Sequence, residues 1–240
     1  MKGRPPTRAG GAAPGIAHGR SAAVGRPPGT VRIVGGRWRG TKLAVPDRPG
    51  LRPTSDRVRE TLFNWLLPML PGARVIDAFA GSGALGLEAV SRGAAEAVLI
   101  ERDPALAQTL RATVARLDAA DRVQVVADDA LRWLARETTP HFDLIFLDPP
   151  FAGDADGGLW ARAWAAAEPR LADEAWLYLE CPAPAEGHAD SGPAVDPRPG
   201  WALHREGRTR DVRYALYRRG AAGAGTGARD TGSAHTPPCG

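Results

Sequence analysis

The stretch Val75-Ile76-Asp77-Ala78-Phe79-Ala80-Gly81-Ser82-Gly83-Ala84-Leu85-Gly86 decides the fold class. A short apolar strand runs into a glycine turn, and an alanine- and leucine-rich helix follows to about Ser91. Gly81 and Gly83 permit a sharp turn and a close backbone approach to a ligand. The helix start beyond them offers unpaired N–H groups. Downstream the alternation repeats. Ala97 to Ile100 reads as a second strand with a helix from Pro104 to Leu117, and Val123 to Val126 as a third with a helix from about Asp129 to Arg136. Phe142 to Leu147 is a fourth strand, almost wholly apolar, as a parallel strand buried on both faces must be. A helix from Trp160 to Pro169, a strand from Ala175 to Leu179, and strands Trp201 to Arg205 and Val212 to Tyr217 complete the pattern. The expected fold is α/β and Rossmann-like: about seven strands, mostly parallel, with helices on both faces and ligands at the carboxyl ends of the strands.

Upstream, Thr30 to Val45 reads as a small hairpin around Gly35-Gly36, and Pro46 to Pro53 as a loop. Thr54, Ser55 and Asp56 supply N-cap oxygens for a helix whose Val58, Leu62, Trp65, Leu66 and Met69 share one face, ended by Pro68 and Pro71-Gly72. Residues 1–30 contain 12 Gly or Pro and no acid, and residues 220–240 are rich in Gly, Ala and Thr. Both have too little apolar content to offset the entropy of ordering. The domain is therefore expected over 31–219, with 31–53 as its hairpin and loop, between disordered tails. Residues 182–200 read as a long Pro/Ala/Gly loop.

Net charge is +4 over 240 residues, but Asp47 is the first acid and nine Lys or Arg precede it. The rest of the chain is net negative. A basic arm on a mildly acidic body suggests a polyanion such as nucleic acid, although a solvated tail has the same composition. Arg32, Arg37 and Arg39 are the arm's arginines within the hairpin, and Trp38, between Arg37 and Arg39, is the tryptophan placed for stacking on RNA. No apolar run is long enough to span a membrane, and no apolar segment lies between Met1 and Thr30, so a secretory signal is not expected. Two cysteines, Cys181 and Cys239, make no disulfide framework, and the five histidines show no metal-ligand spacing, so no metal is expected. A cytoplasmic location fits.

Three further residues give the glycine turn its chemical meaning. Glu101 ends the second strand 20 residues after Gly81, where a carboxylate can hold both hydroxyls of a ribose. This spacing also fits a dinucleotide fingerprint. Asp77, however, stands four residues before Gly81, where a pyrophosphate would meet a like charge. A cation is welcome there, and S-adenosylmethionine carries an ammonium, a sulfonium and a ribose. Asp129 is placed either to read an adenine amino group or simply to cap its helix.

The fourth strand ends in Asp148-Pro149-Pro150-Phe151. The exocyclic amino group of a base is a poor nucleophile because its lone pair is delocalised into the ring. Two acceptors on its N–H groups, the Asp148 carboxylate and the Pro149 carbonyl, would localise that pair towards a methyl donor. Consecutive prolines hold the turn rigid, and Phe151 offers a stacking face.

The glycine turn with Glu101 and the Asp148-Pro149-Pro150-Phe151 box resemble those of class I adenosylmethionine-dependent amino-methyltransferases. The hairpin sequence from Arg32 to Leu43, the segment from Arg52 to Trp65 and the turn from Asp77 to Ala89 narrow the resemblance to the RsmD family, over about Val31 to Arg219. The resemblance implies methyl transfer to the N2 of guanine 966 (rRNA numbering) in 16S rRNA, within the 30S subunit or an assembly intermediate, by a monomer. It implies that Asp77, Gly81, Gly83, Glu101 and Asp129 line the cofactor site and Asp148 to Phe151 the catalytic one. Arg52 to Glu60 would then lie against cofactor or target base, unless Arg57, Arg59 and Glu60 form a solvated helix face. Other readings of the motifs are a methyltransferase for DNA adenine or protein glutamine, a nicotinamide oxidoreductase and a non-catalytic RNA-binding protein.

Overall fold

A computed structural model of the chain describes residues 29–45, 55–136, 141–150, 158–183 and 197–220. Residues 1–28 and 221–240 of the expected tails, Phe151, Arg52 to Thr54 and most of the 182–200 loop lie outside the described residues. Gly29 and Thr30, by contrast, belong to the first strand, so the folded part begins two residues before the expected boundary.

Seven strands form one sheet. They are β3 (Arg74–Asp77), β4 (Glu96–Glu101), β5 (Val123–Ala127), β6 (Phe142–Leu147), β7 (Leu171–Pro182), β8 (Trp201–Arg208) and β9 (Val212–Arg219), in the order β5-β4-β3-β6-β7-β9-β8. The first five in that order run parallel, and β9 and β8 pair antiparallel at the far edge. The chain winds outward from β3 to β5, then returns to place β6 on the other side of β3. That reversal opens a crevice at the carboxyl ends of β3 and β6. β7 is longer than the five residues its apolar run predicted, because β9 pairs with it from Ala175 to Pro182 and satisfies its backbone over the polar positions too.

Among the described residues, five α-helices cover the sheet on both faces. α1 (Asp56–Leu66), α2 (Ala84–Ser91) and α3 (Pro104–Arg116) share one apolar core with the inward side chains of the sheet, while α4 (Ala130–Leu134) and α5 (Leu159–Ala167) share a second on the other side. The starts of the helices obey local chemistry. Ser55 Oγ accepts from the Val58 amide, Asp103 caps α3 ahead of Pro104, and Asp129 caps α4. No helix among the described residues is long and apolar enough to cross a membrane.

The hairpin of β1 (Gly29–Arg32) and β2 (Lys42–Val45) is antiparallel and docks on the α1–α3 face. Its loop is pinned to the end of α2: the Arg37 amide donates to the Ser91 carbonyl at 2.7 Å, the Trp38 amide to Ser91 Oγ at 2.9 Å, and Ser91 Oγ donates to the Gly35 carbonyl at 2.7 Å. Gly36 sits at φ +76° with the Ser91 carbonyl so close that a Cβ would stand 1.9 Å from its oxygen, so glycine is required by both conformation and space.

Beneath the hairpin lies a buried ionic knot. Arg59 and Glu88 have no exposed side-chain surface, and Arg59 Nη1 donates to Glu88 Oε2 at 3.2 Å. Arg92 clasps the other Glu88 oxygen, and the Val34 amide donates to Glu88 Oε2 at 3.2 Å. Arg59 Nη2 also donates to the Arg32 carbonyl at 2.6 Å and to Asp56. One buried carboxylate thus joins α1, α2 and the hairpin.

Candidate active site

Asp77 ends β3 in the crevice, 2% exposed. Its Oδ2 accepts from the Gly86 amide at 2.9 Å, which ties the strand end to the first turn of α2. Between them the chain passes through Gly81 (φ +51°) and Gly83 (φ +77°), a left-handed conformation that costs a glycine little. Burial, opposed by the Gly86 bond and reinforced by the nearby Glu101 charge, raises the Asp77 pKa to about 7. The carboxyl is therefore charged at a cost, and a cation settling beside it would relieve that cost.

Glu101, at the end of neighbouring β4, accepts from the Gly81 amide at 2.9 Å through Oε2 and from the Asp103 amide at 2.8 Å through Oε1. Both oxygens are thus fixed in orientation against the glycine turn. A carboxylate has about four lone-pair sites, so capacity for hydroxyl donors remains. At the end of β5, the exposed Asp129 accepts from the Arg132 amide at 3.0 Å as the cap of α4. Its buried neighbour Asp128 is bound by Arg132 and Arg136, and the Arg132 hydrogen bond holds its pKa low.

Asp148 and Pro150 are half-buried and Pro149 is buried, directly beyond β6. Asp77 pairs with Phe146 in the parallel ladder, so Asp148 lies two residues beyond the level of Asp77 on the adjacent strand. The fold therefore gathers Asp77, Gly81, Gly83, Glu101, Asp129 and Asp148 on one rim, although they span 72 positions of sequence. Phe151 lies outside the described residues.

The hairpin residues lie elsewhere. Gly83 caps the start of α2, whereas Arg37 is bonded to Ser91 at its end. Eight helical residues, about 12 Å at 1.5 Å per residue, separate the two. Arg32, Arg37 and Arg39 are exposed, and Arg32 reaches Asp56 at 3.6 Å. Trp38 corrects the sequence expectation: it is 7% exposed and packs in the core with Leu43 and Val45, so its ring offers no face to a base. Its flanking arginines disguise an inward position in a loop whose backbone does not alternate. Arg59 corrects the pair of readings for the Arg52 to Glu60 segment, being neither solvated nor at the cofactor rim but buried against Glu88, while Arg57 and Glu60 are exposed. Glu88 escaped the sequence reading, although one acid in an otherwise apolar helix turn is the mark of a buried, paired carboxylate. A cavity of about 390 Å³ walled by Arg74, Arg122, Trp133 and Arg170 lies at the amino ends of the strands, away from the rim.

A doubly wound sheet of this strand order, carrying a glycine turn after its central strand and an Asp-Pro-Pro turn on the next, is a class I methyltransferase of the Rossmann-like type. Solved structures agree. The chain resembles the Escherichia coli protein yhhF with a TM-score of 0.68 at 46% identity, over 80% of this chain and 99% of that one. It resembles HI0767 of Haemophilus influenzae with a TM-score of 0.64 at 35% identity, over 80% and 100%. Among curated proteins, Ribosomal RNA small subunit methyltransferase D of Escherichia coli strain K12 is 49% identical over 81% of this chain and 93% of its own length. The protein of the same name from Haemophilus influenzae is 39% identical over 79% and 94%. The family model described as "Conserved hypothetical protein 95" matches residues 31–218. The chain belongs to this family, the RsmD methyltransferases.

Proposed function

We propose that the protein transfers a methyl group from S-adenosylmethionine to the exocyclic N2 of a guanine in 16S rRNA, at position 966 by family resemblance. The observation that carries this reading is the placement of Asp148-Pro149-Pro150 across the crevice from the Asp77–Gly83 turn, on adjacent parallel strands. An amino-group acceptor pair and a pocket suited to a cation thereby face one another. The names of the 49% and 39% identical relatives, both small-subunit rRNA methyltransferases, support the substrate.

A bound adenosylmethionine would supply an electrophilic methyl group on sulfonium, the C–S electron pair staying on sulfur as the N–C bond forms and one N2 proton leaving to solvent. The chain's residues do the rest. Asp77 meets the positive end of the donor, directly or through water. Glu101, already oriented by two amides, accepts from the ribose hydroxyls. Asp129 is exposed beside them for the adenine amino group. Asp148 and the Pro149 carbonyl accept the two N2–H groups, which turns the nitrogen lone pair towards the methyl carbon and opposes the positive charge that develops there. Phe151 would stack on the base. Fixed alignment of the two reactants supplies most of the acceleration, and the guanine is unstacked to reach the rim. Arg32, Arg37 and Arg39 hold RNA phosphates away from the rim. A nicotinamide dinucleotide fits less well, because its pyrophosphate would lie over the buried Asp77 carboxylate.

The reading places the protein in the cytoplasm as a monomer acting on the 30S subunit or an assembly intermediate, with no metal in the chemistry. Its test is a map of methylated guanines in 16S rRNA from cells with and without the gene, joined to methyl transfer by the purified protein onto unmodified 30S subunits. One guanine N2-methyl group that depends on the protein in both assays is expected. Transfer to DNA or protein instead, or to no RNA, would overturn the reading.

A further inference from the structure

We infer that Glu180 selects guanine as the acceptor base by taking the hydrogen bond of its ring N1–H, beside the Asp148 and Pro149 acceptors on its amino group. The inference rests on the functional reading above and adds the residue that discriminates between bases.

Its basis is register. Leu147 of β6 pairs with Leu179 of β7 in the parallel ladder, so Asp148 and Glu180 are the next residues on adjacent strands. One step before the leucines, Phe146 and Tyr178 stand side by side in the core under α1 and α2, with ring centroids 6.0 Å apart. Side chains alternate along a strand, so Asp148 and Glu180 return to that same side, at the carboxyl ends of their strands. Adjacent strands lie about 4.8 Å apart, close enough for two carboxylates to converge on neighbouring nitrogens of one ring. Both charges are felt at the Tyr178 hydroxyl, whose pKa burial, Glu180 and Asp148 all push upward.

Glu180 is also held for the task. It is 3% exposed, its Oε1 accepts from the Tyr178 hydroxyl at 2.7 Å, and its carbonyl accepts from Trp160 Nε1 at 2.5 Å. A tyrosine that keeps its proton is a steady donor and stabilises an ionised carboxylate. An ionised carboxylate only accepts, and it does so at about four lone-pair sites, so the Tyr178 bond does not exhaust it. Guanine presents an N1–H next to its amino group. Adenine and cytosine present a ring-nitrogen lone pair in the corresponding place, which a carboxylate repels. Flipped bases are read along this edge, and a wrong partner there leaves a buried acceptor unmatched.

The experiment uses 30S subunits reconstituted with 16S rRNA carrying either guanine or 2-aminopurine at the methylated position. 2-Aminopurine keeps the amino group but has a bare N1. Single-turnover rates on the two substrates are compared for wild type and Glu180→Gln. Loss of the guanine O6 affects both enzymes alike, so the double ratio isolates N1. The wild-type preference for guanine is expected to fall roughly 10- to 100-fold in Glu180→Gln, the scale of a hydrogen bond to a charged group, because glutamine can donate to a bare N1. Adenosylmethionine affinity should not change. Tyr178→Phe, which releases the carboxylate from its donor, should narrow the preference about threefold or more, and it carries the test if Glu180→Gln does not fold. A wild-type protein inert on guanine would sink the functional reading and the inference with it. Activity on guanine with an unchanged double ratio would sink the inference alone.

Discussion

Asp77 is an almost fully buried aspartate, and its raised pKa ties stability to pH with a definite sign. Between about pH 4 and pH 7 the folded protein keeps a proton that the unfolded chain, with an ordinary value of 3.8, has already released. Stability from this group is therefore complete below pH 4, falls as pH rises to about 7, and is level beyond. Asp77→Asn keeps an oxygen for the Gly86 amide and removes the charge. The ligand-free variant is expected to match wild type at pH 4 and to exceed it at pH 8, by at most about 4 kcal/mol at 1.36 kcal/mol for each tenfold change in proton affinity. Its affinity for adenosylmethionine should drop by about 1.5–3 kcal/mol, the worth of a charge-assisted contact. Wild-type affinity should rise with pH up to about 7, and that of the variant should not. Denaturation and calorimetry across pH check both halves, and a variant that binds as well as wild type removes Asp77 from the site. Asp148→Ala should behave in the opposite way, leaving cofactor affinity intact while methyl transfer falls by roughly 10²–10³ or more. Asp148→Asn, which keeps one acceptor, should retain part of the rate. Single-turnover assays decide, and a wild-type rate in Asp148→Ala would refute the assignment.

Among the elements, the hairpin is held less by its own short strands than by what lies under it. Two strands of four residues are marginal alone. Glu88 and Arg59 give them a fixed seat, because the knot bonds the Val34 amide and the Arg32 carbonyl. Removing one member leaves the other on its remaining partners, Glu88 on Arg92 or Arg59 on Asp56, so the loss should reach only the low end for breaking a buried pair, about 3 kcal/mol. Glu88→Ala and Arg59→Ala are each expected to lose about that much, with amide exchange accelerating first in residues 31–45. Because the two act as one unit, the double variant should lose far less than the sum of the singles. Additive losses would show that the pair does not act as a unit.

Over the whole molecule, the rim and the basic hairpin stand at opposite ends of α2, so RNA must pass along the α1–α3 face to touch both. Phosphate contacts so far from the chemistry should set affinity and leave the chemical step alone. Replacing Arg37 and Arg39 together by Ala is expected to weaken 30S binding and to lower the salt slope by roughly 0.7–0.9 for each phosphate lost, with the single-turnover rate at saturation unchanged. Deleting residues 1–28, ahead of β1, should cost little activity, since they carry too little apolar content to offset the entropy of ordering. If that deletion abolishes methylation in a folded protein, the tail has been misjudged.

Periodicity and turn chemistry made the architecture readable in one dimension. The apolar run 142–147, the glycine turn and the Ser55 and Asp129 caps depend on neighbours within a few residues, so local physics writes them openly. The rim residues were readable for a similar reason: strand ends in a parallel sheet converge whatever the helices between them do. Trp38, Arg59, Glu88 and Glu180 were not readable in this way. Whether a tryptophan between arginines points inward is decided by the docking of Gly36 on Ser91. Whether an arginine is solvated or buried is decided by a carboxylate 29 residues away. The pairing of Glu180 with the level of Asp148 needs the register of two strands joined by a long crossover. In each case burial depends on a partner remote in sequence, and the free energy of a buried charge takes its sign from that partner rather than from the residue itself.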